Sequence, residues 1–462
     1  MTAMSGLDHT VLDELTRALT EAPVTDPDIL DGHRHDMASF CPAGVPAALV
    51  RPRTAAEVSA VLRIASAHRI PVVPQGARTG LSGAANAVDG ALLLSLARMD
   101  AVLEVDVIDQ VAVAQPGVTN AALSRAVAEA GLFYPPDPSS WESSTIGGNV
   151  ATNAGGLCCV KYGVTGDFVR GLEVVLADGE VIRTGRRTVK GVAGYDLTRL
   201  LVGSEGTLGV ITEVTLGLRP APEPVLTAAA TFPAAAGALA AAAEVMAAGL
   251  RPSLLELIDQ VTLRAIQDLR DFGFEPDLGA MLVAQSDRGG GAADDVARIA
   301  EICRNHGARD VAVAENAEEG ELLLAARRSV NAALERLGAT LIDDIAVPRS
   351  RLGDLLEGLH EIASEHEVLI ACPGHVGDGN MHPTVVFDRA DPDAVRRAEL
   401  AFGQVMQLGL TLGGTITGEH GVGRLKSAWL REEVGKRSWD LQRQLRAVFD
   451  PAGILNPGAV TG

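Results

Sequence analysis

At 462 residues the chain is long enough for two or three domains, and 47% hydrophobic residues with 50 glycines describe a globular protein with sizeable cores. A formal charge of −20 argues against nucleic acid and anionic membrane surfaces as principal partners. Five cysteines (Cys41, Cys158, Cys159, Cys303 and Cys372), with no CxxC pair, fit a reducing cytoplasm rather than a disulfide framework.

The opening residues, Met1 to His9, lack a basic region followed by an apolar one, so no secretory leader is expected. Residues 1–40 read as a helical lead-in, with Leu7, Val11, Leu12, Leu15 and Leu19 at roughly helical spacing. A β-α-β unit follows. Ala48-Leu-Val is a strand, Thr54 an N-cap, and Val58, Val61, Leu62 and Ala65 the apolar face of the helix. Ile70-Pro-Val-Val is the next strand. Short strands are expected at Leu92–Ser95, Val102–Val105 and Val111–Ala114, with a helix after Thr119. Leu172 to Ile182 reads as a hairpin turning on Asp178-Gly179.

The cluster Pro220-Ala-Pro-Glu-Pro marks a domain boundary. The organisation expected is a lead-in (1–40), a first domain (41–222), a second α+β domain of ferredoxin-like arrangement (223–415) and a closing segment (416–462). The most apolar window, Ala228–Leu250, is mostly alanine and holds Glu244, so it reads as a packed helix and not a membrane span. The closing segment carries a helix over Trp439–Val448 and ends in Ile454-Leu-Asn-Pro-Gly, a turn-rich stretch expected to return to the first domain.

Three glycine-rich segments at strand ends stand out in the first half. Pro74-Gln-Gly-Ala-Arg-Thr-Gly-Leu-Ser-Gly83 follows a strand, and successive backbone N–H groups in such a loop form an anion-binding concavity. Thr145-Ile-Gly-Gly-Asn-Val-Ala-Thr-Asn-Ala-Gly-Gly156 lets a planar ligand approach the backbone, with Asn149 and Asn153 as donors and acceptors. Leu201 to Ile211 supplies a third close-approach turn. No G-x-G-x-x-G and no P-loop occur, so the nucleotide folds that carry those fingerprints are not expected. Together the three loops favour a long phosphate-bearing cofactor.

The second half concentrates a different chemistry. Gly374-His-Val-Gly-Asp-Gly-Asn-Met-His382 and Gly418-Glu-His-Gly-Val-Gly-Arg424 hold three of the chain's ten histidines. Asp378-Gly379 predicts a two-residue type I′ hairpin that sets His375 opposite His382, with Cβ atoms roughly 5 Å apart. Two imidazoles so placed can share a divalent ion, with Glu419 and His420 as carboxylate and acid/base neighbours.

These motifs, with Lys161-Tyr-Gly-Val-Thr-Gly-Asp and Gly194-Tyr-Asp-Leu, cover almost the whole chain from Ala47 to Gly458. In combination they resemble the FAD-binding family of vanillyl-alcohol oxidase and p-cresol methylhydroxylase. Within it, the chain is similar to the D-lactate, glycolate and D-2-hydroxyglutarate dehydrogenase branch. The resemblance implies an α+β protein with a two-subdomain FAD-binding domain, a cap domain and the flavin between them.

Carried over residue by residue, the resemblance assigns the FAD pyrophosphate to backbone amides of the loop Gly76–Gly80, with Pro74, Ala77, Arg78, Thr79 and Ser82. The rest of the cofactor is assigned to Pro136 and Asp137, Thr145 with Gly147, Gly148 and Asn149, Asn153, Gly155, the stretch Gly206 to Ile211, and Asn456. The pyrophosphate loop has no histidine, so non-covalent FAD is expected. The family's metal ligands match His375, His382 and Glu419, its base matches His420, and Arg327 matches the arginine that holds a substrate carboxylate bidentately. Arg328 is the rival for that role, and Asn331 one turn on could share the face. Two histidines and a carboxylate suit zinc, with manganese or iron as alternatives.

The implied reaction is oxidation of a 2-hydroxy acid to the 2-oxo acid, hydride passing to flavin N5. Relatives acting on 2-hydroxyglutarate place a lysine just before the strand that reads Asp-Ile-Ala-Val-Pro here. This chain has Ile342 and Asp343 there, which favours a monocarboxylate such as D-lactate or glycolate. The acceptor is a quinone, a cytochrome or an electron-transfer flavoprotein, and a homodimer is left open. The rivals are an oxidase using O₂ directly, a non-catalytic flavin-binding or electron-transfer subunit, and a flavin-free metallohydrolase.

Overall fold

The computed structural model describes residues 7–462; residues 1–6, part of the stretch on which the leader expectation rests, lie outside them. The chain forms two compact units. The first comprises Met1–Gly156, Val164–Ala221 and Glu419–Gly462; the second comprises Leu157–Gly163 and Pro222–Gly418. Leu157–Gly163 joins the second unit through Lys161 and Tyr162, both bonded to the buried Asp287 carboxylate.

The first unit opens with the helix His9–Ala18, whose Val11 and Leu15 are buried. A short second helix, Pro27–Asp31, capped by Asp26 and started by a proline, was not foreseen. Ala48–Val50, Leu92–Ser95 and Val72–Gln75 form a parallel sheet in that order. Its strands are almost wholly buried and read as continuous apolar runs, as parallel sheets require. The crossover helix Ala55–His68 starts where expected: Thr54 Oγ1 accepts from Glu57 N at 3.2 Å. Val58, Val61, Leu62 and Ala65 are its buried face.

A five-stranded antiparallel sheet completes this unit, in the order Val102–Asp106, Val111–Ala114, Val210–Gly217, Val169–Val175, Val181–Gly185. The Asp178-Gly179 turn closes the last hairpin, with Gly179 at φ +82°. The C-terminus returns to the parallel sheet: Val72 N donates to Ile454 O and Asn456 N donates to Val72 O, both at 2.8 Å.

The second unit has a four-stranded antiparallel core, Asp310–Val313, Leu226–Phe232, Ala280–Ser286, Leu254–Asp259. Numbered along the chain, that order is 4-1-3-2. The helices Ala235–Ala247 and Ala292–Asn305 follow its first and third strands, which is the ferredoxin-like pattern. The sheet then continues through Gly374–His375 and Asn380–Met381 to Ile345–Ala346. A separate three-stranded sheet holds Ala339–Ile342, Thr384–Phe387 and Leu369–Ala371.

Two expectations need correction. The window Ala228–Leu250 is not one helix: its first residues belong to the strand Leu226–Phe232, and Pro233 separates them from the helix Ala235–Ala247. Alanine carries no clear period, so the pattern could not part strand from helix there. The closing helix is also longer, Ser427–Phe449, with non-helical backbone at Gly435 (φ +76°, ψ 153°). Among the described residues, no helix is long and apolar enough to cross a membrane.

Candidate functional site

In the first unit, the loop after Val72–Gln75 packs so closely that two of its neighbourhoods admit only glycine. A Cβ on Gly76 would lie 2.4 Å from Thr145 Oγ1, and one on Gly147 would lie 2.5 Å from Pro116 Cβ. Thr145 caps Ile146–Thr152, its hydroxyl accepting from Gly148 N at 3.3 Å. Arg78 adopts φ +59° and Gly83 φ +76°, so the backbone turns back on itself between them. Asn153, also left-handed, accepts from Gly166 N at 2.8 Å, and Pro136 O accepts from Asn120 Nδ2 at 2.9 Å.

Two buried donors in this region have no hydrogen-bond partner among the described residues: Arg78 Nη1 and Asn149 Nδ2. Leaving a buried donor unmet costs about 1–3 kcal/mol, so such atoms mark where a polar ligand sits. A guanidinium and an amide beside a glycine loop fit a phosphate-bearing cofactor. Asn456 is different, because its amide is already committed. Nδ2 donates to Ala84 O (3.0 Å) and Glu205 O (2.7 Å), and Oδ1 accepts from Arg424 Nη2 at 2.7 Å. It fastens the C-terminal segment rather than presenting its amide nitrogen to a ligand.

The segment after Glu419-His420 is held by the same unit. Ser82 Oγ donates to His420 O at 3.1 Å, and Ser82 O accepts from Arg424 N and Leu425 N, each at 3.0 Å. Glu205, fully buried, accepts from Val422 N (2.7 Å) and Gly423 N (2.9 Å). Burial raises its pKa from 4.5 to about 7, and the two backbone donors oppose that rise. Glu419 and His420 face each other at 3.6 Å.

In the second unit, the Asp378-Gly379 turn forms with a different register from the one expected. Only Gly379 has positive φ (+90°), so the turn is not type I′. Asp378 N and Gly379 N both donate to His375 O (3.2 and 3.0 Å), and Asp378 Oδ1 accepts from Asn380 N at 3.2 Å. The loop therefore takes four residues, pairing His375 with Asn380 and Gly374 with Met381. His375 is not opposite His382. The two still share a face, because His382 lies two residues beyond the partner of His375, and their rings stand 5.0 Å apart at 85°.

Two acidic residues absent from the sequence reading complete this face. Glu256, on Leu254–Asp259, accepts from His375 Nδ1 at 2.6 Å and from Arg327 Nε at 2.7 Å. Burial alone would raise its pKa, but the charges of His375 and Arg327 and their hydrogen bonds bring it below the ordinary carboxylate value. Asp344 accepts from Asn380 Nδ2 (2.7 Å) and Thr417 Oγ1 (2.8 Å), and its Oδ1 lies 4.0 Å from His382 Nδ1. The signal for both was an acid inside an apolar strand or next to one: Leu-Leu-Glu-Leu-Ile, and Leu-Ile-Asp-Asp-Ile. Of the two arginines, Arg327 is turned in at 17% side-chain exposure, while Arg328 is exposed and pairs with Glu321; Asn331 is exposed.

Gly418 N donates to Asp344 O at 3.3 Å, so chain connectivity carries Glu419 and His420 directly on from this face. Within the second unit His375 and His382 share this face, and Glu419 and His420 follow Gly418 in sequence. Imidazoles and a carboxylate suit a divalent cation.

Comparison with known proteins agrees in character. A family model for FAD linked oxidases, C-terminal domain, matches residues 221–460, and an FAD binding domain matches 46–185. The glycolate oxidase subunit GlcD of Bacillus subtilis (strain 168) is 44% identical over 416 residues, covering 90% of this chain and 88% of that protein. A probable mitochondrial D-lactate dehydrogenase of Danio rerio is 36% identical over 423 residues, covering 90% and 84%. In fold, p-cresol methylhydroxylase with substrate bound superposes with a TM-score of 0.82 at 16% identity, covering 98% of this chain and 96% of that one.

Two measurements test this site. Replacing Asn149 by alanine removes a donor that has no partner among the described residues. The expected result is FAD binding weakened about tenfold, read by flavin fluorescence titration, with unchanged or slightly higher stability of the flavin-free protein. For Glu205, a pKa raised in the folded state contributes stability below its ordinary value and loses it as pH rises through the folded value. Wild type should therefore lose stability relative to Glu205→Gln as pH rises from 4.5 to about 7 in thermal unfolding.

Proposed function

The chain belongs to the FAD-linked oxidase family related to glycolate oxidase and D-lactate dehydrogenase; within it, we propose, the substrate is a small 2-hydroxy monocarboxylate, D-lactate or glycolate. Its activity is that of an FAD-linked dehydrogenase, and the family acts on D-2-hydroxy acids. The observation that carries the finer reading is the pair His375 and His382 on one face of the second unit, with Glu419 and His420 directly after Gly418, which bonds to Asp344 O beside that face.

His375, His382 and Glu419 are the ligands we assign to a divalent ion, zinc by the character of the set. When bound, the ion would make the substrate hydroxyl easier to deprotonate, and FAD would accept the two electrons released at C2. The protein's own part is orientation and proton transfer. Arg327, its Nε committed to Glu256, keeps its Nη groups for the substrate carboxylate. His420 takes the hydroxyl proton, the lone pair of a neutral imidazole nitrogen being the acceptor. Ile342 and Asp343 stand where relatives acting on 2-hydroxyglutarate carry a lysine, and Asp343 is buried, which supports a monocarboxylate.

The glycine loop 76–80 is assigned to the pyrophosphate, with Arg78 and Asn149 as side-chain donors, and the cofactor is held without a covalent bond. Residues 416–462 complete the active site by supplying Glu419 and His420. Electrons then pass to a separate acceptor, a quinone, a cytochrome or an electron-transfer flavoprotein.

A dye-linked assay tests this reading. D-lactate or glycolate should be turned over and 2-hydroxyglutarate poorly, with activity lost on chelation and restored by zinc. His420→Asn should lower kcat by about 10²–10⁴-fold with little change in KM. Full activity in the chelated protein, or in His420→Asn, contradicts the assignment.

A further inference from the structure

Glu256 lies in the middle of Leu-Leu-Glu-Leu-Ile-Asp, a strand hydrogen-bonded on both sides, with a side-chain exposure of 0%. The strand pairs Leu257 with Gly374 in antiparallel register, and the next position along sets Glu256 across from His375. Both carboxylate oxygens are engaged, Oε1 by His375 Nδ1 at 2.6 Å and Oε2 by Arg327 Nε at 2.7 Å. Arginine can only donate, and an ionised carboxylate can only accept, so the second oxygen is free to take a proton-bearing Nδ1. With Nδ1–H given to Glu256, the lone pair of His375 is on Nε2, and the ring cannot swing without breaking that bond.

We propose that Glu256 is the positioning residue of this site: one buried carboxylate selects Nε2 of His375 as the metal-ligating nitrogen and at the same time aims Arg327 at the substrate carboxylate. This rests on the metal and arginine assignments of the proposed function. The three side chains belong to three separate segments of the second unit: Leu254–Asp259, the helix Ala317–Arg328 and the strand Gly374–His375. No other acid reaches the Nε of Arg327 among the described ion pairs. Metal coordination and substrate recognition therefore share a single anchor, and a change at Glu256 should disturb both together.

Glu256→Gln keeps the size of the side chain but replaces one acceptor with a donor. The amide can satisfy His375 or Arg327, and not both. The test is a zinc titration of metal-stripped, flavin-loaded protein in competition with a chromophoric chelator, alongside KM for D-lactate or glycolate. Wild type should take up one zinc per chain. Glu256→Gln should bind it about 10–100-fold more weakly and show a raised KM, with flavin content unchanged. Arg327→Ala should raise KM while leaving zinc affinity within about threefold, because the bond from Glu256 to His375 survives.

A purely structural role would lower the unfolding temperature of Glu256→Gln without moving zinc affinity. Equal affinity in wild type and variant overturns the proposal and leaves the proposed function standing. Wild type that takes up no zinc overturns both. If Glu256→Gln does not fold, Glu256→Asp, one methylene shorter, carries the same test, and wild-type affinity in that variant overturns the proposal.

Discussion

A carboxylate buried in the interior of a sheet keeps its charge only where donors meet both oxygens at fixed distance. Glu256 sets that requirement for the second unit. Its strand has to pair with Gly374–His375 in one register so that His375 reaches it, and the helix ending at Arg328 has to approach closely enough for Arg327 to meet the other oxygen. Once His375 is fixed, the four-residue turn and the pairing with Asn380 place His382 on the same face. The strand edge then continues to Ile345–Ala346, beside Asp344 and the chain leading to Gly418. The geometry of the histidine pair follows from where one charge can be buried.

The first unit solves a different problem, close backbone approach, and it solves it with glycine. Gly76 against Thr145, Gly147 against Pro116 and Gly423 against Ser82 O leave no room for a Cβ. The C-terminal segment is drawn into the same packing by Asn456 and by Arg424, whose Nη1 donates to Gly83 O at 2.6 Å. The glycine loop and the Glu419-His420 loop, more than 300 residues apart in sequence, thus share the residue Ser82. Glu419 and His420 are tethered on both sides, by Gly418 to Asp344 O and by Val422 and Gly423 to Glu205.

Local chemistry was readable from the residues alone. Thr54 caps its helix because the donor it satisfies is three residues away, and Asp178-Gly179 turns its hairpin because Gly179 can adopt positive φ. The glycine loops were readable for the same reason. Register was not: Asp378-Gly379 announced a turn, but its length was decided by pairing with the strands Leu254–Asp259 on one side and Ile345–Ala346 on the other. Glu256 was missed because its partners are 71 and 119 residues distant, and nothing in its own neighbourhood names them. The alanine-rich window failed for want of a period, and Arg327 could be told from Arg328 only once burial was known.

The central claim is that bound FAD is reduced directly by a 2-hydroxy acid of one hand. The most direct measurement is the anaerobic visible spectrum of the purified protein before and after adding D-lactate, L-lactate or glycolate separately. The account predicts that the oxidised-flavin band is bleached by D-lactate or glycolate and left intact by L-lactate. Bleaching by L-lactate to the same extent, or a flavin band that none of these acids changes, would contradict it.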